Sequence, residues 1–283
     1  MRYFYGSLLI FLFLAFVLPA EAQAPEVGSE TLIKLSRETA SEGETGSGSS
    51  RSRNALVEVV LGKTESAVEL EYRLPPGSEG RAGPTEWMFP VRIRKSSDDQ
   101  TEVLNRTELL ARRDAWLEKA PQFRALCGKS VFTWTVVHIH CEVDDVLRIV
   151  AAFDLWVWDV SPERMWQEPG TTAPQSLTLV ENGPNGQRYE VAFNLDPEAL
   201  RRADAEVEIS VAMMTGKPTP TLEDALSELA NVAYSGSLVL SFQTDAFGTL
   251  IERTWLQEIA KMTALGQRTS YLTTTSIQRN SVP

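Results

Sequence analysis

Residues 131–158 have the sequence VFTWTVVHIHCEVDDVLRIVAAFDLWVW. This stretch contains both histidines of the protein, one of its two cysteines and three of its seven tryptophans. Apolar side chains alternate with other residues along much of it, which is typical of β-strands. We therefore predict two long strands joined at Asp144-Asp145, and we expect the other elements to pack around this hairpin.

The first predicted strand holds the best candidate for a metal site. His138, His140 and Glu142 share one face of a strand, so two imidazoles and a carboxylate would lie side by side as metal ligands do. However, the apolar positions change from even to odd numbers near residues 136–137, which indicates a β-bulge. Such a bulge turns the three polar side chains towards solvent. The sequence therefore favours solvent-facing histidines over a metal centre, and it predicts no cofactor.

The second predicted strand offers a candidate ligand-binding face. Trp156 and Trp158 share the even-numbered face with Arg148 and Asp154, opposite a continuous apolar face. This face could receive a sugar, a peptide or a lipid. The alternative is that a helix predicted over residues 107–119 covers it, which we favour because large aromatic side chains are mostly buried. These four residues remain the most promising place to look for ligand binding.

Cys127 and Cys141 are the only two cysteines. A cysteine pair in an exported protein usually forms a disulfide. A straight strand over residues 131–141 would nevertheless separate its two ends by about 30 Å, whereas a disulfide needs Cα atoms about 5.5 Å apart. The sequence leaves open whether the two cysteines are bridged.

The N-terminus has the pattern of a secretory signal peptide. Arg2 precedes an apolar run from Leu8 to Leu18, and small residues stand before Ala22, the predicted cleavage site. Residue 23 is glutamine, whereas a bacterial lipoprotein would have cysteine there. We therefore expect an exported protein, periplasmic or extracellular, without a stable membrane anchor after cleavage of residues 1–22.

The formal net charge of the chain is −11. An acidic surface repels phosphate backbones and anionic lipid headgroups. The charge therefore argues against nucleic acid or a membrane surface as partner, and a protein partner in the cell envelope is the remaining hypothesis.

The sequence divides into four regions after the signal peptide. Residues 23–54 are rich in Ser, Gly and Glu and are predicted to be a flexible leader. Residues 55–166 form a β-rich half with one helix, and residues 175–265 form a second α+β half, either as part of the same domain or as another. Residues 266–283 are predicted to be a loose tail.

The local patterns favour strands over helices. Hairpins are predicted at 55–74 and 177–195, short strands at 87–93 and 207–213, and a strand at 249–262, where an amphipathic helix is the alternative. Helices are predicted at 107–119, at 222–233 and, as a short one, after Asp196. The expected fold is α+β, a predominantly antiparallel sheet or sandwich built from hairpins, with two to four helices.

Motifs of common enzymes are missing from the sequence. It contains no Gly-x-Ser-x-Gly elbow, no P-loop and no dinucleotide-binding glycine pattern. Acidic residues do cluster between 144 and 163, although acids in turns are usually only solvated. We therefore expect a non-enzymatic binding or envelope-associated module. The alternative is a metal- or carboxylate-dependent hydrolase acting on envelope or extracellular material.

Overall fold

A ten-stranded antiparallel sheet dominates the computed structural model of the protein. The structure describes residues 26–44, 46–78, 83–98, 100–132, 136–156, 160–162 and 164–282. The predicted signal peptide, residues 1–22, lies outside them.

The structure describes fourteen strands and six helical segments. The strands are β1 (Glu30–Gly43), β2 (Gly46–Lys63), β3 (Ala67–Arg73), β4 (Val91–Ser96), β5 (Thr101–Val103), β6 (Ser130–Phe132), β7 (Val136–His138), β8 (Met165–Trp166), β9 (Gln175–Ser176), β10 (Thr178–Gly183), β11 (Gly186–Asn194), β12 (Ala233–Thr244), β13 (Leu250–Met262) and β14 (Arg268–Ser281). The α-helices are α1 (Arg106–Lys119), α2 (Asp145–Ala151), α3 (Pro197–Thr215) and α4 (Leu222–Glu228), and 3-10 helices occupy Gly83–Met88 and Pro121–Leu126.

The strand order of the large sheet is β10-β11-β12-β13-β14-β1-β2-β3-β4-β5. Neighbouring strands are mostly consecutive along the chain, as in a meander. The exception is β1, which pairs with β2 on one side and with β14 on the other. Thr31 lies opposite Ser281, so the first and last described strands run side by side.

One face of the sheet, here called the inner face, carries the hydrophobic core. Side chains alternate along the strands, and inner-face residues such as Leu70 of β3 and Leu240 of β12 are fully buried there. Val146 and Val150 of α2 and Leu109 of α1 belong to the same core. The opposite face is called the outer face. It is mostly polar in β1, β2 and β14.

The prediction of two long strands over residues 131–158 is wrong. The chain reverses within the first of them, because β6 pairs with β7 and places Ser130 opposite His138. The first half of the second predicted strand is the helix α2, which buries Val146 and Val150 four residues apart. The strand prediction rests instead on the alternation of Leu147, Ile149, Ala151 and Phe153, of which only Phe153 is buried. The proposed bulge near 136–137 therefore does not arise.

The flexible leader and the loose tail are also wrong where the structure describes them. Residues 30–43, 46–54 and 268–281 belong to the sheet. The β1 backbone is paired on both sides, opposite Ser- and Thr-rich partners such as Ser49 and Thr273. Ile33 and Ile277 are buried in the core, and backbone hydrogen bonds between strands order the remaining, mostly polar residues of these segments.

The strand predicted at 207–213 is part of α3. Val207, Val211 and Met213 are among its most exposed apolar side chains, so their alternation does not mark a core face. Asp196 caps this helix by accepting a hydrogen bond from the Glu198 amide, as predicted, although the helix is longer than expected. Thr221 caps α4 in a capping box.

Other local predictions are confirmed. The hairpins β2–β3 and β10–β11, the helix α1 and the strand β13 lie where the sequence predicts them. The predicted strand at 87–93 is correct only from Val91, because a 3-10 helix occupies the chain up to Met88. The β-rich antiparallel α+β class is thus confirmed, with six helical segments instead of two to four.

Candidate functional site

The two histidines lie together at the start of the segment that leads to α2. Their ring centroids are 4.6 Å apart in an edge-to-face arrangement. His140 Nδ1 lies 3.4 Å from an Asp145 carboxylate oxygen and 3.2 Å from an Arg148 guanidinium nitrogen. Partial burial lowers the pKa of His140, which favours the neutral imidazole.

The third member of the predicted metal cluster does not join them. Glu142 is exposed, and the described part of the chain holds no group of three His, Cys, Asp or Glu side chains placed to bind a metal ion. His138 and His140 are therefore brought together, but as a ring pair next to Asp145 and not as a three-ligand centre.

The residues of the predicted ligand-binding face lie in different environments. Trp156 is only 9% exposed and belongs to the core. Asp154 accepts a 2.8 Å hydrogen bond from the Trp156 amide and forms an ion pair with Lys95. Arg148 points to solvent on α2 and pairs with Asp145, while Trp158 lies outside the described residues. Because α2 replaces part of the predicted strand, the three described side chains, Arg148, Asp154 and Trp156, do not share one open surface.

Cys127 and Cys141 form a disulfide, which answers the question that the sequence left open. The pairing of β6 with β7 accompanies a Cα–Cα distance of 5.4 Å between the two cysteines. A separation of about 30 Å would require residues 131–141 to form one straight strand, whereas β6 and β7 pair with each other.

A buried ionic cluster lies under the sheet. Glu58 of β2 is 1% exposed, accepts a 2.8 Å hydrogen bond from the Tyr72 hydroxyl and pairs with Arg279 at 3.0 Å. Burial raises the pKa of Glu58 and outweighs the lowering by Arg279 and by the Tyr72 hydrogen bond. Burial also raises the pKa of Tyr72 well above its ordinary value.

A second ion pair lies close to this cluster. Lys95 of β4 is buried and its ammonium contacts Asp154 and donates a 2.8 Å hydrogen bond to the Trp156 carbonyl. Lys95, Asp154 and Tyr72 line a small cavity of about 200 Å³. No local pattern predicts this cluster, because Asp154 and Arg279 are far in the chain from Glu58, Tyr72 and Lys95.

All these charged groups have partners. Buried charges that are paired and hydrogen-bonded usually serve the fold, although perturbed pKa values also occur at active sites. A similar pair joins Arg253 of β13 to Glu168 at 2.7 Å, with the Arg253 guanidinium 4.2 Å from the centre of the Trp255 ring.

The outer face carries a much larger cavity, an open trough of about 750 Å³ across β12, β13, β14, β1 and the end of β2. Its lining is formed mainly by small and polar side chains that alternate with inner-face residues along these strands. The outer-face residues of this lining are Ala40, Glu42, Ser47, Ser235, Ser237, Glu258, Ala260, Arg268, Ser270 and Leu272. We call this cavity the serine trough.

Small residues shape the strands beneath the serine trough. A Cβ atom at Gly236 would lie 2.7 Å from the Glu258 carbonyl oxygen and 2.9 Å from Leu195 Cδ1. Only glycine therefore allows β13 and Leu195 to approach β12 this closely. Sequence analysis missed this site, since the polar segments that form its floor were predicted to be unstructured.

The serine trough can form hydrogen bonds in both directions. Serine hydroxyls donate and accept, the Glu42 and Glu258 carboxylates accept, and the Arg268 guanidinium donates. Among the described lining residues there is no histidine or cysteine that could act as base or nucleophile. The arrangement is suited to holding a hydroxyl-rich molecule.

No family model matches the chain, and no curated protein matches it significantly. Within the described residues, no helix is long and apolar enough to cross a membrane.

Proposed function

We propose that the protein is an exported, non-enzymatic binding module that holds a hydroxyl-rich ligand, of the carbohydrate class, in the serine trough. The observation that carries this proposal is the size and lining of that cavity. A volume of about 750 Å³ lies within the range of small-molecule sites, about 300–1,000 Å³. Its hydroxyl and carboxylate groups complement the donors and acceptors of a sugar.

Export of the protein rests on the signal peptide pattern at residues 1–22, and the disulfide between Cys127 and Cys141 supports it. The proposed place of action is the periplasm or the extracellular space, with a protein of the cell envelope as a possible second partner. Fractionation of the cells that produce the protein tests this location, and recovery of an uncleaved chain in the cytoplasm would contradict it.

A panel of immobilised neutral and amino-sugar oligosaccharides tests ligand binding, followed by calorimetry with the tightest glycan. Ser237→Phe places a large side chain in the serine trough and should abolish binding. Ser241→Phe is the matched control, because Ser241 lies four residues along the same face of β12 but outside the lining. Equal binding by both variants, or no glycan retained by the native protein, would refute the proposal.

The second candidate function is a hydrolase that uses carboxylates. The observation in its favour is the cavity of about 200 Å³ lined by Tyr72, Lys95 and Asp154, next to Glu58 with its raised pKa. It ranks second because both carboxylates are already engaged in ion pairs. Hydrolysis of chromogenic glycosides or esters that is lost in Asp154→Asn, with stability unchanged, would reverse this order.

A further inference from the structure

A second recess lies on the outer face, further along the same strands. It has a volume of about 630 Å³, and its outer-face lining includes Lys34, Ser36, Arg53, Ser276 and Gln278. We call it the basic recess. It is distinct from the serine trough and shares no lining residue with it.

The register of three strands fixes the arrangement of these side chains. Ser36 of β1 lies opposite Arg53 of β2 on one side and opposite Ser276 of β14 on the other. Lys34 is two residues before Ser36 and therefore lies diagonally across from Arg53 on the same face. Diagonal neighbours in a sheet are about 7–8 Å apart, a separation that long side chains can bridge around a common ligand.

Three cations line the basic recess, Lys34, Arg51 and Arg53, and among the described residues only Arg51 is neutralised by a carboxylate. Within the described chain, neither Lys34 nor Arg53 forms an ion pair with a carboxylate. Two carboxylates lie at the edges of the recess and contact other lining residues: Glu38 pairs with Arg51 at 2.7 Å, and Glu252 accepts a 2.9 Å hydrogen bond from Gln278.

This arrangement contrasts with the basic residues of β4. Arg92 pairs with Glu71 at 2.9 Å, and Arg94 pairs with both Glu69 and Glu102. Like charges side by side are unfavourable unless an opposite charge neutralises them. The chain has more acidic than basic residues, yet no carboxylate pairs with Lys34 or Arg53 in the described part of the chain.

Neutral donors complete the recess. The Ser36 and Ser276 hydroxyl oxygens are 2.9 Å apart, so one hydroxyl donates to the other and one hydroxyl hydrogen remains for a ligand. An ammonium, a guanidinium and a hydroxyl together form the donor set that proteins use to bind carboxylate, phosphate or sulfate oxygens.

We infer that the basic recess binds a single anionic group, a carboxylate, phosphate or sulfate, carried by an otherwise uncharged ligand. The net charge of −11 opposes the approach of a long polyanion. The field of distant acids is screened beyond about 10 Å in ordinary salt, so a single anion in contact with Lys34 and Arg53 feels mainly these two cations. This inference is independent of the ligand in the serine trough.

The test is a titration of the full chain with sodium phosphate, sodium sulfate and sodium acetate, followed by two-dimensional amide NMR in a buffer of low ionic strength, with sodium chloride as the reference. Saturable shifts should be confined to the backbone around residues 34–36, 53 and 276. Lys34→Gln and Arg53→Gln should each weaken binding about tenfold, the effect of losing one charge-assisted hydrogen bond.

Arg37→Gln is the matched control. It removes the same charge from the same strand, but Arg37 is exposed on the opposite face of β1. The control should bind as the native protein does. Since all three substituted side chains are exposed, a thermal melt of each variant checks that the fold is kept.

Comparison of the three anions identifies the type of anionic group that the basic recess binds. Saturation by phosphate and sulfate but not by acetate indicates a tetrahedral group, whereas saturation by acetate indicates a carboxylate. Either outcome supports the inference. Equal weakening in Arg37→Gln, or shifts no different from those with chloride, would overturn it.

Discussion

The Tyr72 hydroxyl donates a 2.8 Å hydrogen bond to Glu58 Oε2 beneath the sheet, where both side chains are almost completely buried. Arg279 reaches across β1 to the other oxygen of the same carboxylate. Three strands are thus connected by one buried anion, and the predictions about stability begin with it.

Removal of this anion should destabilise the fold strongly. Glu58→Ala leaves the Arg279 side chain, 8% exposed, without its partner, and breaking a buried pair in this way costs about 3–5 kcal/mol. The measurement is the free energy of unfolding in urea. Glu102→Ala is the control, because Glu102 pairs with Arg94 at the surface, where such pairs contribute less than about 1 kcal/mol. A similar loss in both variants would contradict the assigned role of Glu58.

The raised pKa of Glu58 should make stability depend on pH. Burial raises this pKa above its ordinary value of 4.5, so the folded protein binds a proton there more readily than the unfolded chain does. This contribution to stability is fully present below about pH 4.5 and is lost as the pH rises through the folded-state pKa.

Glu58→Gln has no proton to lose at that position. The free energy of unfolding of Glu58→Gln relative to the native protein should therefore increase from pH 4.5 upward and then level off, as measured by urea unfolding at a series of pH values. A relative stability that falls over this range would show that the pKa is lowered instead.

Reduction of the disulfide should weaken the region around β6 and β7. Cys127 and Cys141 are 14 residues apart, and a crosslink over a loop of about 15 residues contributes about 3 kcal/mol in the chain-entropy account. Urea unfolding with and without dithiothreitol measures the difference. The double variant Cys127→Ser/Cys141→Ser should be equally unstable in both conditions. If the reductant shifts the native curve no more than the variant curve, the bridge contributes nothing.

The imidazole of His140 should titrate below its ordinary pKa of 6.5, since partial burial outweighs the attraction of Asp145. The unfolded chain then binds more protons than the folded one just below pH 6.5. This contribution to stability is present above that pH and is lost as the pH falls through the folded-state pKa. Proton NMR follows both rings directly, and His138→Ala assigns the two resonances. A titration midpoint of His140 above 6.5 would mean that Asp145 dominates.

The sequence predicts those parts of the fold in which local pattern and tertiary environment agree. Val68, Leu70 and Tyr72 alternate with charged residues, and all three are buried in β3 as expected. The cap at Asp196 and the capping box at Thr221 also depend only on neighbouring residues. Such features need no knowledge of distant strands.

The errors arise where distant partners decide the structure. Ser47 to Asn54 offer little apolar surface, yet they form a strand because β1 lies beside them. The sequence predicts a strand in place of α2 because Leu147, Ile149 and Ala151 alternate with other residues, whereas the helix buries Val146 and Val150 in the core. Both outer-face cavities depend on the pairing of β1 with β14, which no local pattern reveals.

The position of β1 also determines how the sheet can assemble during folding. Ser36 and Ser276 touch although 240 residues separate them, so the pairing of β1 with β14 is among the longest loop closures in the chain. The hairpins β1–β2 and β13–β14 can form early from local contacts, whereas the pairing of β1 with β14 joins residues far apart in the chain and is therefore slower. Until then β1 and β14 each present an open edge, the state in which β-rich chains are most prone to aggregate.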